Sequence, residues 1–110
     1  MYNKVYLLGH LTEEPKFDKN NDKELLIKLA VQSDFKNKDG VYLVDFIPCV
    51  LYKNVAIKVM KYCRKDDLIT ICGSIRAQNK IEIVVHKVSF LTAKQILDDE
   101  DLNFEYDAGK

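Results

Sequence analysis

Between residues 28 and 53 the aromatic rings of Phe35, Phe46 and Tyr52 are interleaved with four cations, Lys28, Lys36, Lys38 and Lys53. Flat apolar faces beside positive charges suit unpaired bases on a phosphate chain. Every base has a π-face, each stack contributes about 1–3 kcal/mol, and lysines neutralise phosphates. The same rings could instead fill a core or a subunit interface, given how much surface each one buries. Other chemistries find less support. His10 and His86 stand apart from any carboxylate or nucleophile pattern, so each reads as a structural strand residue. Cys49, Cys63 and Cys72 form no C-x-x-C pair for zinc, cannot all be paired in disulfides, and read as buried free thiols. The four glycines, at 9, 40, 73 and 109, are too far apart for a phosphate-cradling loop. No metal, cofactor or catalytic residue is expected, and the chain is expected not to be an enzyme.

Charge separates the chain into two parts. Residues 1–97 carry 16 Lys and Arg against 11 Asp and Glu, a net +5. Residues 98–110 carry six acids against Lys110, a net −5. A basic body with an acidic end points toward nucleic acid or another charged partner, although a solvating tail would look the same. The acidic end is too poor in core-forming residues to pack and is expected to be disordered. The domain organisation is therefore a body over 1–97 and a tail over 98–110. With 110 residues, 47% of them apolar and 31% charged, the body is one soluble domain. No apolar run approaches the roughly 18 residues of a spanning helix. Val5 to Leu8 is too short for a secretory signal. A cytoplasmic location without membrane association is expected.

The rings and lysines must be held by strands, because the hydrophobic period is mostly two. Lys4 to Leu11 alternates Val5, Leu7, Gly9 and Leu11 against Tyr6, Leu8 and His10. Glu13 to Lys23 is polar and reads as a loop. Leu25 to Phe35 and Val41 to Tyr52 are the second and third strands, joined by Lys36 to Gly40 with its favourable Asp-Gly. Pro48 within the third strand must sit at a bulge or a free edge, since it donates no ladder hydrogen bond. Asn54, a good N-cap, opens a short helix to about Cys63, with Val55, Val59 and Met60 on one side and Lys61, Arg64 and Lys65 at its basic end. Leu68 to Ala77 and Lys80 to Leu91 are the last two strands, meeting near Gln78-Asn79.

Five strands with a helix between the third and fourth give the order of an all-β, five-stranded Greek-key OB-fold, a partly open barrel. Other small barrels with one helix share that order. In an OB-fold the ligand surface lies on the second and third strands and on the loops after the first and fourth. Phe46 and Tyr52 differ by an even number of residues and so share one face of the third strand.

The opening Met-Tyr-Asn-Lys-Val-Tyr-Leu-Leu-Gly-His-Leu-Thr-Glu-Glu-Pro resembles the start of bacterial single-stranded DNA-binding proteins, which typically begin N-K-V-x-L-x-G-x-L-x-x-D-P. The resemblance continues through Leu29-Ala30-Val31, Asp45-Phe46, Cys49 to Tyr52, Asn54-Val55-Ala56, Tyr62 to Lys65 and Gly73 to Arg76. It covers residues 1–92. It implies base stacking on Phe35, Phe46 and Tyr52, and phosphate contacts from Lys4, Lys53, Lys65 and Arg76 beside Lys28, Lys36 and Lys38. It also implies self-association into a homotetramer (or a dimer) partly through the N-terminal strands. The segment Asp98, Asp99, Glu100, Asp101, Leu102, Asn103, Phe104 resembles the family's acidic tip, which recruits replication, recombination and repair proteins. The expected function is sequence-independent binding and protection of single-stranded DNA at the nucleoid. The alternative is a primosome-type adaptor that binds DNA weakly and mainly assembles partners. The chain departs from the family in its Phe and Tyr stackers where many relatives carry Trp, in Pro48, in Asp66-Asp67, in a short turn from Ala77 to Lys80, and in six residues after Phe104.

Overall fold

A computed structural model describes residues 1–18 and 21–91. The acidic segment with Asp98, Asp99, Asp101, Leu102 and Phe104 lies outside the described residues. The elements in chain order are β1 (Val5–Leu11), β2 (Phe17–Asp18), β3 (Asn21–Lys36), β4 (Tyr42–Tyr52), α1 (Lys53–Tyr62), β5 (Leu68–Arg76) and β6 (Glu82–Phe90). Strands rich in Val, Ile, Leu and Tyr alternate around the core because each has one face to bury.

The five long strands close on themselves as an OB-fold barrel. Around it the order runs β1, β5, β6, β4, β3, and β1 meets β3 again through His10↔Ala30 and Leu11↔Leu29. Neighbours are antiparallel except β4 and β6, a parallel pair at Cys49↔Ile83 and Val50↔Val84. The core is built from the inward set: Leu11 of β1, Leu25 and Leu29 of β3, Leu51 of β4, Ile69 of β5, each at most 1% exposed. Helix α1 covers one end with Ala56, Val59 and, just past it, Cys63. Tyr62 stacks obliquely on Phe90, with centroids 5.8 Å apart.

Three local expectations need correcting. The polar stretch from Glu13 to Lys23 is only partly a loop, because Phe17–Asp18 pairs with the start of β3, which begins at Asn21 rather than Leu25. Two residues show no periodicity that a sequence could reveal. Asn54 does not cap the helix. The cap position is Tyr52, with no side-chain hydrogen bond, and the turn into α1 is made by Lys53 at φ 52. Cys72, finally, is half-buried, whereas Cys49 and Cys63 are buried.

The far end of the helix is better provided. Arg64 Nη1 donates to the Cys63 carbonyl at 2.8 Å, where the helix dipole favours a cation. The following turn is tied to β1, since Leu11 N–H donates to Asp67 O and Asp66 N–H donates to Leu11 O. Asp66 adopts φ 73 there, a left-handed conformation that L side chains tolerate poorly.

The closing seam depends on a missing side chain. A Cβ on Gly9 would stand 2.5 Å from the Ala30 carbonyl oxygen and 2.9 Å from Leu29 Cγ. Gly9→Ala should therefore lower stability by about 1–3 kcal/mol, the usual range for overpacking. Urea denaturation of the two proteins tests this, and a wild-type midpoint would mean that the seam opens freely to admit a methyl group.

Candidate nucleic-acid interface

The face that β3 and β4 turn outward follows from their register. Leu26, Lys28, Ala30 and Gln32 of β3 stand opposite Val50, Pro48, Phe46 and Val44 of β4, and of these only Val50 is buried. Their odd-numbered neighbours on β3, from Leu25 to Val31, point into the barrel. Phe46 faces only the methyl of Ala30 across the ladder and is 61% exposed. Pro48 sits where expected: β4 is paired with β6 only from Cys49 onward, so among the described residues its second edge is free up to Pro48.

Two adjoining hollows extend this face. The first, about 520 Å³, lies between the loop after β1 (Glu13, Glu14, Lys16) and the turn before β6 (Lys80), over Leu26, Lys28 and Pro48. The second, about 360 Å³, is lined by Glu24, Tyr52, Arg76, Gln78 and Asn79. Leu26, Lys80 and Glu82 border both, so the two form one trough along the barrel.

The structure brings the sequence-based candidates together unevenly. Lys28 lies in the first hollow, and Tyr52 and Arg76 in the second. Phe46 continues the same face beyond Pro48. Phe35 is 73% exposed near the far end of the hairpin, in the stretch where the β3–β4 register shifts between Gln32 and Lys36. Ser33 Oγ accepts the Phe35 N–H there, at 3.1 Å.

Lys36 places its Nζ 4.7 Å from the centroid of Tyr42, its cross-strand partner, and Lys38 is exposed in the hairpin loop. That loop is shaped by Asn37, whose Oδ1 accepts the N–H groups of Asp39 and Val41, and by Gly40 at φ 77. Lys53 is exposed at its left-handed turn. Lys65 is exposed beside the trough, its backbone N–H donating to Glu14 at 3.1 Å. Lys4 is exposed just before β1. The next strand residue, Val5, pairs with Gly73.

Arg76 is not a free cation. Its Nε and Nη2 both donate to Glu82 Oε1, at 3.1 and 2.5 Å, and its Nη1 donates to the Tyr52 hydroxyl at 2.9 Å. The bond to Glu82 first, and that to Tyr52 second, hold the guanidinium protonated more firmly than usual. Sequence reasoning passed over Tyr42 and Val44, which share the Phe46 face and are exposed. The parity argument that joined Phe46 to Tyr52 already contained them.

The remaining candidates show no such grouping. His86 bonds to Ser74 Oγ at 3.1 Å on the exposed side of β5 and β6. Among the described residues no group of three His, Cys, Asp or Glu could hold a metal ion, and no helix is long and apolar enough to cross a membrane.

Cys49 lines the base of the first hollow, and burial pushes its thiol up to about 12. The unfolded thiol ionises near its ordinary value of 9. Above that pH the unfolded state releases a proton that the folded state keeps, so stability falls as pH rises from about 9 toward 12. Denaturation midpoints across this range should drop less for Cys49→Ala than for the unmodified chain. An equal drop would assign the alkaline loss to other groups.

Comparison with known proteins gives a consistent result. Residues 2–91 match the profile of the single-strand binding protein family. Over 81 residues the chain is 31% identical to single-stranded DNA-binding protein B of Bacillus subtilis, covering 72% of each. It is 36% identical over 81 residues to single-stranded DNA-binding protein 1 of Lactococcus lactis, covering 72% of this chain and 54% of that one. It is 32% identical over 107 residues to single-stranded DNA-binding protein 3 of Listeria innocua, covering 86% of this chain and 67% of that one. The fold resembles a mitochondrial single-stranded DNA-binding protein of S. cerevisiae, with TM-score 0.64 and 18% identity over 84% of this chain and 98% of that one. It also resembles a small single-stranded DNA-binding protein of Streptomyces coelicolor, with TM-score 0.61 and 13% identity over 86% and 97%.

Proposed function

The chain belongs to the single-strand binding protein family, and from that premise we propose that it binds single-stranded DNA by stacking bases along the outer face of β3 and β4. The observation that carries this reading is Phe46, a large ring left mostly uncovered at the centre of a strand face that the register aims at solvent. Tyr42, Phe35 and Tyr52 extend the row of rings. Lys28, Lys36, Lys38 and Lys53 flank it as phosphate partners, with Lys65 beside the first hollow and Lys4 before β1. Stacking and phosphate neutralisation tolerate any base, so protection of exposed strands during replication, recombination and repair follows without sequence reading. The activity is binding rather than catalysis, and DNA as ligand puts the protein at the nucleoid. Relatives named for single-stranded DNA binding favour this over a primosome-type adaptor.

Phe46→Ala should keep the fold and weaken binding to oligo(dT) by about 1–3 kcal/mol, a range drawn from single-strand binding proteins themselves. Phe46→Trp should bind at least as tightly as the unmodified chain. A Phe46→Ala variant that folds and binds like the unmodified chain would take the ring out of the interface.

Self-association belongs to the same reading. The outward side of β1 presents Tyr6 (70% exposed) and Leu8 (51%) above Cys72 and Thr70 of β5. A shallow depression there, lined also by Lys87 and Ser89 of β6, offers apolar surface for a second copy. Two such dimers joined in turn give the tetramer expected of the family. Leu8→Glu, which sets a charge on this face and leaves the core intact, should shift sedimentation toward the monomer. An unchanged sedimentation coefficient would move the contact to another face. The acidic segment 98–110 is proposed as the site that recruits replication and repair proteins, on the strength of its charge and of Leu102 and Phe104 within it.

A further inference from the structure

Within the DNA face, the second hollow holds an arrangement that ordinary phosphate binding does not call for. Arg76 and Glu82 are direct cross-strand partners at the ends of β5 and β6. The Glu82 side chain is only 11% exposed, and that of Arg76 is 32% exposed. Two guanidinium nitrogens converge on one carboxylate oxygen, and the third reaches across to the Tyr52 hydroxyl. The guanidinium carbon stands 5.8 Å from the Tyr52 ring centroid. Every nitrogen of Arg76 therefore has a partner before any DNA arrives.

A carboxylate matches the fork of an arginine as a phosphate does, with two oxygens and a negative charge. Resting on the reading that this face binds single-stranded DNA, we infer that Glu82 occupies Arg76 as an internal stand-in for phosphate, so that Arg76 acts as a post positioning Tyr52 and not as a backbone clamp. The pair itself carries no net charge beside Tyr52. A base can stack on the ring there, while the sugar-phosphate chain is neutralised by the lysines around it. Glu82 is thus a positioning residue, acting on DNA through Arg76 and Tyr52.

Counterion release separates this from direct phosphate contact. Each phosphate neutralised on a single strand adds about 0.7 to the magnitude of the slope of log K against log salt. Affinity of the full chain for labelled oligo(dT) would be measured across a series of NaCl concentrations for three variants. Glu82→Gln is nearly isosteric and keeps an amide oxygen for Arg76 while removing the competing charge. It should tighten binding at low salt and steepen the slope by about 0.7. Arg76→Gln combined with Glu82→Gln removes both charges, and should bind more weakly through a looser Tyr52 but with the slope of the unmodified chain. Lys28→Ala is the reference for a true phosphate contact and should make the slope shallower by about 0.7.

A double variant whose slope is shallower by the same amount as Lys28→Ala would show that Arg76 takes a phosphate in the native complex, and would overturn the inference. So would Glu82→Gln with an unchanged or shallower slope, a result that decides the matter alone should the double variant fail to fold. If the unmodified chain itself binds oligo(dT) without salt dependence, or does not bind it, the DNA-binding reading falls first and the inference with it.

Discussion

Nine consecutive cross-strand pairs, from Glu24 with Tyr52 to Gln32 with Val44, run along β3 and β4 without a slip. Because side chains alternate strictly along a strand, this one register decides which residues enter the barrel and which face outward. A shift by one residue would bury Lys28 and Phe46 and expose Leu29 and Leu51. Core and proposed ligand surface are therefore two sides of the same ladder. The register is strongly held because its inward members are among the most completely buried residues of the protein. The outward face thus inherits its geometry from the packing behind it.

Much of this could be seen in the sequence, and the reasons are specific. Period-two alternation in residues 5–11 and 25–35 located the first strand and the body of the second, and the strand count gave the barrel order. Parity put Phe46 and Tyr52 on one face, and the same rule, applied two steps further, would have added Val44 and Tyr42. What stayed hidden depends on contacts between segments distant in sequence. Nothing local distinguishes Arg76, read as a phosphate ligand, from Arg76 held by Glu82, because that pairing is created by the β5–β6 register. Nor could the sequence show that Lys53, and not Asn54, makes the turn into α1. A left-handed lysine is locally unfavourable, and the strand and helix it joins must hold it there.

The charged groups divide into two populations with different roles. Lys28, Lys38 and Lys53 are exposed and available to a polyanion. Arg64, Arg76 and Glu82 are committed to internal partners, at a helix end or across a strand pair. A count of cations overstates how many can meet DNA, and the net +5 of the body is spread unevenly over what a ligand can reach. Glu13 and Glu14 in the first hollow accentuate this, since they offset the lysines Lys16, Lys28 and Lys80 that line it too.

The unpaired edge of β4 has a bearing on solubility. From Tyr42 to Val44 this strand is exposed and apolar, and with no neighbour on its second side among the described residues it could template the addition of a strand from another molecule, the first step of fibril growth. Pro48 stands at the point where the paired part of that edge gives way to the bare part. Lacking an N–H, it ends the bare run of donors and acceptors at the point where pairing with β6 begins.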